Sequence, residues 1–242
     1  MPRTLTIAAR FCGPPTSSNG GYFAGSVAAL AAARTVTVRL LKPPPLDREL
    51  AVEDLEGGAL RVLDGADPVG EARATTLDLE PKRAPDYLEA VEASRHYAGF
   101  RYHRFPTCFV CGTHRVRGDG MRVFAGPLAE RGVVAAPWVP DASLDAGDGK
   151  VRPEFMSAAL DCPGYYAVAP DDRMMLLAEF TAHVGRRVHV GESCTVVGWQ
   201  IGVAGRKHEA GTALFDGNGD LVGRARALWI EPRAAVETAQ AL

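Results

Sequence analysis

The sequence predicts an α+β fold of two tandem repeats, each a helix followed by antiparallel strands. Together the repeats form one continuous sheet with two central helices. Two observations carry this expectation. Residues 63–74, "LDGADPVGEARA", recur with a one-residue insertion as "FDGNGDLVGRARA" at 215–227. Both read as an Asp-Gly hairpin turn between apolar strands, and the strand leaving the turn, Val-Gly-x-Ala-Arg-Ala, matches as well. The second observation is that each half places one apolar, alanine-rich run ahead of several strand-like segments. One half alone leaves a sheet edge and a face uncovered, a problem that two halves side by side resolve.

The elements follow in order. Leu5–Ala9 is a short extended segment, stopped by Gly13-Pro14-Pro15. Tyr22–Ala33 lacks strand alternation, and its length and composition suit a buried helix. Thr35–Leu40 alternates apolar and polar, the strand period, before the triple proline Pro43-Pro44-Pro45. Further strands are expected at Leu50–Leu55, Ala59–Leu63 and Val69–Leu77. Tyr87, Leu88 and Val91 sit at roughly helical spacing and predict a short linking helix within Pro85–Tyr97. In the second half, Pro153–Ala169 is a helix entered through a proline suited to its first turn. Strands are expected at Met174–Val184, Ser193–Val203, Ala210–Phe215 and Leu221–Ile230. The organisation is therefore a first repeat (1–80), a linker with a short helix (81–106), a second repeat (107–233) and a frayed tail (234–242).

Composition narrows the function. A formal net charge of −2 over 242 residues offers no basic field for nucleic acid or an anionic membrane. No apolar run approaches the roughly 20 residues of a membrane span, and the N-terminal stretch lacks a signal-peptide core. Five cysteines, an odd number in a chain this long, do not read as a disulfide framework. The expectation is a reduced, cytoplasmic protein.

Three stretches carry a family resemblance. "NGGYFAGSVAAL" (19–30) is similar to the His-Gly-Gly helix start of phenylacetyl-CoA-type thioesterases. "TCFVCGTHRVRGDGMRVFAG" (107–126) resembles their Cys-x-x-Cys-Gly … Gly-Leu-x-x-x-Phe lead-in to the first strand. "RPEFMSAALDCPGYY" (152–166) looks like their central helix with its carboxylate. The chain thus resembles the hotdog-fold acyl-CoA thioesterase superfamily, duplicated as a double hotdog. The resemblance implies hydrolysis of an acyl thioester. A glycine amide at the helix start polarises the carbonyl, and an acid nine positions along comes from the partner helix. Nine beyond Asn19 lies Ala28, and nine before Asp161 lies Arg152, followed by Pro153-Glu154 rather than Gly-Gly. Each half keeps one part of the pattern. Gly20 and Gly21 of the first repeat and Asp161 of the second are expected to complete one site. The reciprocal set, Arg152, Pro153 and Ala28, would be inactive.

The chemistry is consistent with those residue types. Negative charge developing on a thioester oxygen is stabilised by backbone N–H groups at a helix N-terminus. Glycine lets substrate approach that backbone. Asp161 stands in an apolar run, where an aspartate needs a reason: base, nucleophile or structural partner. Asn19, Tyr22, Ser157 and Thr181 are the expected substrate-binding residues, with helix capping the alternative role for Asn19. Pro163, two residues beyond Asp161, should kink or end the helix. Cys108 and Cys111, with His96, His103 and His114 nearby, raise a zinc reading. One Cys-x-x-Cys pair falls short of four ligands, and Cys162 and Cys194 are remote in sequence, so no metal is expected. Arg186-Arg187 and Arg206-Lys207-His208 read either as coenzyme A phosphate contacts or as solvated hairpin tips. No cofactor is called for. The expected partner is an acyl-CoA-type small molecule, met by a monomeric pseudo-dimer or a homo-oligomer of double hotdogs. Two other classes stay open: a non-catalytic acyl binder that kept the fold, and a dehydratase. The second is disfavoured because neither central helix contains a histidine.

Overall fold

The computed structural model describes residues 3–31, 33–170 and 173–233. Its first repeat supplies β1 (Arg3–Thr6), α1 (Gly20–Ala28), β2 (Thr35–Leu40), β3 (Glu49–Asp54), β4 (Leu60–Asp64) and β5 (Asp67–Ala74). After α2 (Tyr87–Arg95), the second supplies β6 (Gly126–Leu128), β7 (Val133–Trp138), α3 (Pro153–Ala159) and α4 (Cys162–Val168). It ends with β8 (Leu176–Val184), β9 (Cys194–Ala204), β10 (Lys207–Phe215) and β11 (Leu221–Ile230). All eleven strands form a single sheet in the order β1-β3-β4-β5-β2-β8-β11-β10-β9-β7-β6.

Apart from β6, this order reads the same from both ends. Strands β1, β3, β4, β5 and β2 occupy the places that β7, β9, β10, β11 and β8 occupy in the other half. The two hairpins picked out by sequence are β4–β5 and β10–β11, in equivalent positions. The halves meet at β2 and β8, which pair antiparallel as two-fold-related strands must. Across this seam the Thr37 and Thr181 hydroxyls lie 2.8 Å apart, and the Thr35 hydroxyl is 2.8 Å from His183 Nδ1.

Burial explains why the two halves look different in sequence. In β3, Leu50 and Val52 face the main core and alternate with exposed residues. In β9 the period-two alternation separates two cores instead. Cys194 and Val196 face the main core with the central helices, whereas Val197 and Trp199 face a second core beneath α2. Strands buried on both faces read as continuous apolar runs. The linking helix α2 thus covers the outer face of the second repeat through Ala90 and Ala93. A capping box holds its start: Asp86 accepts from the Glu89 amide, and Glu89 accepts from the Asp86 amide.

Several boundaries differ from expectation. Helix α1 begins at Gly20 and ends at Ala28 rather than running over 22–33. The single helix expected over Pro153–Ala169 is two, α3 and α4, broken at Leu160-Asp161. Pro163 has no N–H for the Ala159 carbonyl, so the chain restarts as a new helix with proline in its first turn. Strand β7 was not anticipated, and the tail at 234–242 lies outside the described residues.

Helices α1 and α3 cross in close contact. A Cβ at Gly25 would lie 2.7 Å from Ser157 Cβ and 2.8 Å from Glu154 Cα. One at Gly21 would lie 2.5 Å from Asp161 Cβ and 3.0 Å from the Ser157 carbonyl oxygen. Glycine at these two positions sets the distance between the repeats' helices. Gly25→Ala should therefore cost about 1–3 kcal/mol through overpacking. Gly202→Ala, at a position where an added Cβ meets nothing within 4 Å, should be near neutral. Paired thermal melts of the two variants check this.

Candidate active site

The segment entering α1 is held before the helix starts. The Ser18 amide donates to the Pro44 carbonyl and the Asn19 amide to the Phe11 carbonyl, while the Phe109 amide donates to Cys12. These bonds fix the loop after β2 on one side of the helix start and the Cys-x-x-Cys loop on the other. Asn19 is the N-cap of α1. Its Oδ1 accepts from the Tyr22 amide at 2.9 Å, which satisfies an orphan donor of the first turn. Its Nδ2 donates to Asp161 Oδ2 at 2.7 Å. The Gly21 amide donates to the same oxygen at 3.0 Å.

Asp161 is 2 % exposed and sits between α3 and α4 rather than within a helix. Burial raises its pKa to about 7. The hydrogen bonds from Gly21 and Asn19 work against that rise, and the nearby Cys108 adds to it. Its other oxygen, Oδ1, is buried with no hydrogen-bond partner among the described residues. The Gly20 amide has no acceptor among them either, and Gly20 borders a pocket.

That pocket has a volume of about 290 Å³. Its walls are mostly apolar, with Phe105, Tyr165, Tyr166, Leu177, Trp229 and Ile230 among them, and its polar lining includes Asn19 and Asp161 beside Gly20. Both repeats build it, together with the loop carrying Pro43 and Pro44. Tyr166 is locked in place: the Tyr97 and Tyr166 hydroxyls are 2.7 Å apart, and the Tyr97 hydroxyl donates to the Cys111 carbonyl at 3.1 Å.

The structure brings Asn19, Gly20, Gly21 and Asp161 together. Tyr22, Ser157 and Thr181 lie away from the pocket lining. Tyr22 stacks on Phe11 at 4.2 Å in an aromatic cluster that includes Phe109 and Phe155. Ser157 packs under Gly25, and Thr181 bonds Thr37 at the sheet seam. The reciprocal helix start is filled: Arg152, the N-cap of α3, pairs with Glu154 at 3.6 Å and lies over the Phe155 ring. The basic turns are engaged elsewhere, Arg186 with Asp216, Arg187 with Asp148 and Arg206 with the Glu231 carbonyl. Lys42 and Arg104 border the pocket instead.

Sequence reading missed one grouping. Cys162, 51 residues beyond Cys111 in the chain, lies beside the Cys-x-x-Cys pair, and all three cysteines border the pocket. The pair itself was visible, but the third thiol arrives only through the fold.

No protein-family model matches this sequence, and no curated protein sequence does. Solved structures do match it over nearly its whole length. A candidate thioesterase II from Thermobifida fusca YX superposes with a TM-score of 0.60 at 18% identity, covering 95% of this chain and 93% of its own. The TesB protein of Mycobacterium avium subspecies paratuberculosis gives 0.57 at 13% identity, covering 95% and 92%. A hotdog-fold protein of unknown function from Alicyclobacillus acidocaldarius gives 0.55 at 11% identity over the same shares. The chain is a double hotdog.

Removing the Asn19 side chain should expose how much the site costs and contributes. Asn19→Ala loses both the cap and the bond to Asp161, and should destabilise by about 1–3 kcal/mol. Asn19→Ser keeps the cap alone and should recover part of that loss. Chemical denaturation of the two variants measures the difference.

Proposed function

We propose that this protein hydrolyses an acyl-CoA or a related acyl thioester, with both repeats of one chain contributing to a single site. The observation that carries the reading is the buried Asp161 of the second repeat, bonded to the N-terminus of α1 in the first and lining a mostly apolar pocket. The likeness to thioesterase structures supports the reaction class. Five free, buried cysteines suit a reducing, cytoplasmic setting.

The two glycines take different parts. The Gly21 amide holds Asp161, which leaves the Gly20 amide as the donor that polarises the thioester carbonyl, aided by the positive end of α1. Asp161 Oδ1, buried with no hydrogen-bond partner among the described residues, is the oxygen left for the chemistry. As general base it takes a proton from water while the oxygen attacks the carbonyl carbon. The tetrahedral intermediate then expels the thiolate, which recovers the proton from Asp161, and acid and thiol leave. As nucleophile, Oδ1 forms a mixed anhydride with release of thiolate, and water then hydrolyses the anhydride to the acid and the Asp161 carboxylate, the released proton passing to the thiolate.

A second reading, acyl thioester binding without turnover, is favoured by one fact: the Gly21 amide is already committed to Asp161. A hydrolysis screen across short, long and aromatic acyl-CoAs separates the two. Turnover of at least one substrate is expected, and Asp161→Asn should lower it by on the order of 100-fold or more while the fold remains intact. An unchanged rate in that variant removes Asp161 from the mechanism. Tight acyl-CoA binding with no hydrolysis by the natural chain establishes the binder.

A further inference from the structure

Three buried thiols meet at the pocket wall. The sulfurs of Cys108, Cys111 and Cys162 all lie within 4.8 Å of one another, and Cys108 Sγ and Cys162 Sγ are 3.9 Å apart. We propose that these three cysteines form a site for one soft divalent cation, zinc(II) foremost, with a fourth coordination position open to the pocket.

The spacing fits the ion. Tetrahedral zinc with sulfur ligands at about 2.3 Å places its sulfurs about 3.8 Å apart. The Cys108–Cys162 separation has that span, and small shifts of Cys111 complete the triangle.

The loop has the form of a metal knuckle. The Gly112 amide closes the turn onto the Cys108 carbonyl at 2.8 Å. A Cβ at Gly112 would lie 2.4 Å from that carbonyl oxygen, so only glycine lets the turn tighten this far. From the other side, Asn19 Nδ2 stands 3.9 Å from Cys108 Sγ and 3.8 Å from Cys162 Sγ.

The protein's other two cysteines provide the contrast. Cys12 donates to the Thr107 carbonyl and accepts from Arg115, while Cys194 is buried in the core, where burial pushes its thiol up to about 12. Neither joins the group. His103 does not complete the tetrahedron. Its Nδ1 accepts from the Phe105 amide at 3.0 Å, so its Nε2 carries the proton and donates to the Cys111 carbonyl at 3.0 Å. All three cysteines line the pocket, which leaves the fourth position to water or a ligand atom there. On binding, three sulfur–metal bonds form and the thiol protons pass to solvent.

The test uses the whole chain purified under reducing, chelator-free conditions. Elemental analysis should find one zinc per chain. Titrating the metal-stripped protein with cobalt(II) should give one equivalent of thiolate-to-cobalt charge-transfer absorption, with the visible bands of a tetrahedral centre. Both signals should vanish in Cys162→Ala and persist in Cys194→Ala. Where Cys162→Ala does not fold, the titration of the natural chain decides alone. Failure of the folded, reduced natural chain to take up either ion in stoichiometric amount overturns the proposal, as does full uptake by folded Cys162→Ala. None of these readouts involves thioester turnover, so the proposal stands or falls apart from the hydrolase reading.

Discussion

The close crossing of α1 and α3 is the constraint on which the rest of the molecule depends. A buried carboxylate is expensive unless donors surround it, and Asp161 finds its two donors only because Gly21 and Asn19 lie against it. That approach requires the absence of a side chain at Gly21 and Gly25, which pack directly on Asp161 and Ser157. It also requires the two repeats to be held in one register. Pairing of β2 with β8 does this, setting Val38 opposite Phe180 and Thr37 opposite Thr181. Sheet seam, helix crossing and carboxylate are thus one structural arrangement viewed at three distances.

Joining two repeats in one chain lets equivalent positions diverge, and here they have. The start of α1 presents glycines and a capping amide, while the start of α3 presents a proline and an Arg152–Glu154 pair. Where the second repeat carries Asp161, the first has Ala28 at the matching distance. Neither helix start could assemble the cluster with a copy of itself. The linking helix extends the asymmetry, since α2 covers the outer face of the second repeat and gives it a second core.

What could be read from the sequence was what local chemistry determines. The two hairpins were visible because Asp-Gly turns and alternating strands are short-range signals. The pairing of Asp161 with the first repeat's glycines came instead from the family resemblance, whose nine-residue spacing fails in each half separately. Helix ends were less legible: the Tyr22–Ala33 run is apolar throughout, so composition does not mark where α1 stops at Ala28. Strand β7 escaped notice because Val133–Trp138, which includes Pro137, lacks an alternating pattern. Tyr22, expected to bind substrate, lies just past the glycines on α1. One helical position further on, it faces the aromatic cluster instead. Cys162 could not be placed beside Cys108, because the two lie 54 residues apart within the second repeat and only its folding brings them together.

Asn19 shows how little freedom the site retains. Its two amide atoms are oriented by opposite demands, the oxygen by the Tyr22 amide and the nitrogen by Asp161. Reversing the amide would set a carbonyl against a carboxylate and an NH2 against a backbone N–H, so only one orientation is tenable. The nitrogen that holds Asp161 also faces Cys108 and Cys162. Carboxylate and thiols therefore share one donor, and a change in the position of either group is felt by the other through a single side chain. The asparagine thus belongs with the thiols: they and the carboxylate form one polar cluster, and it is built on the N-terminus of α1.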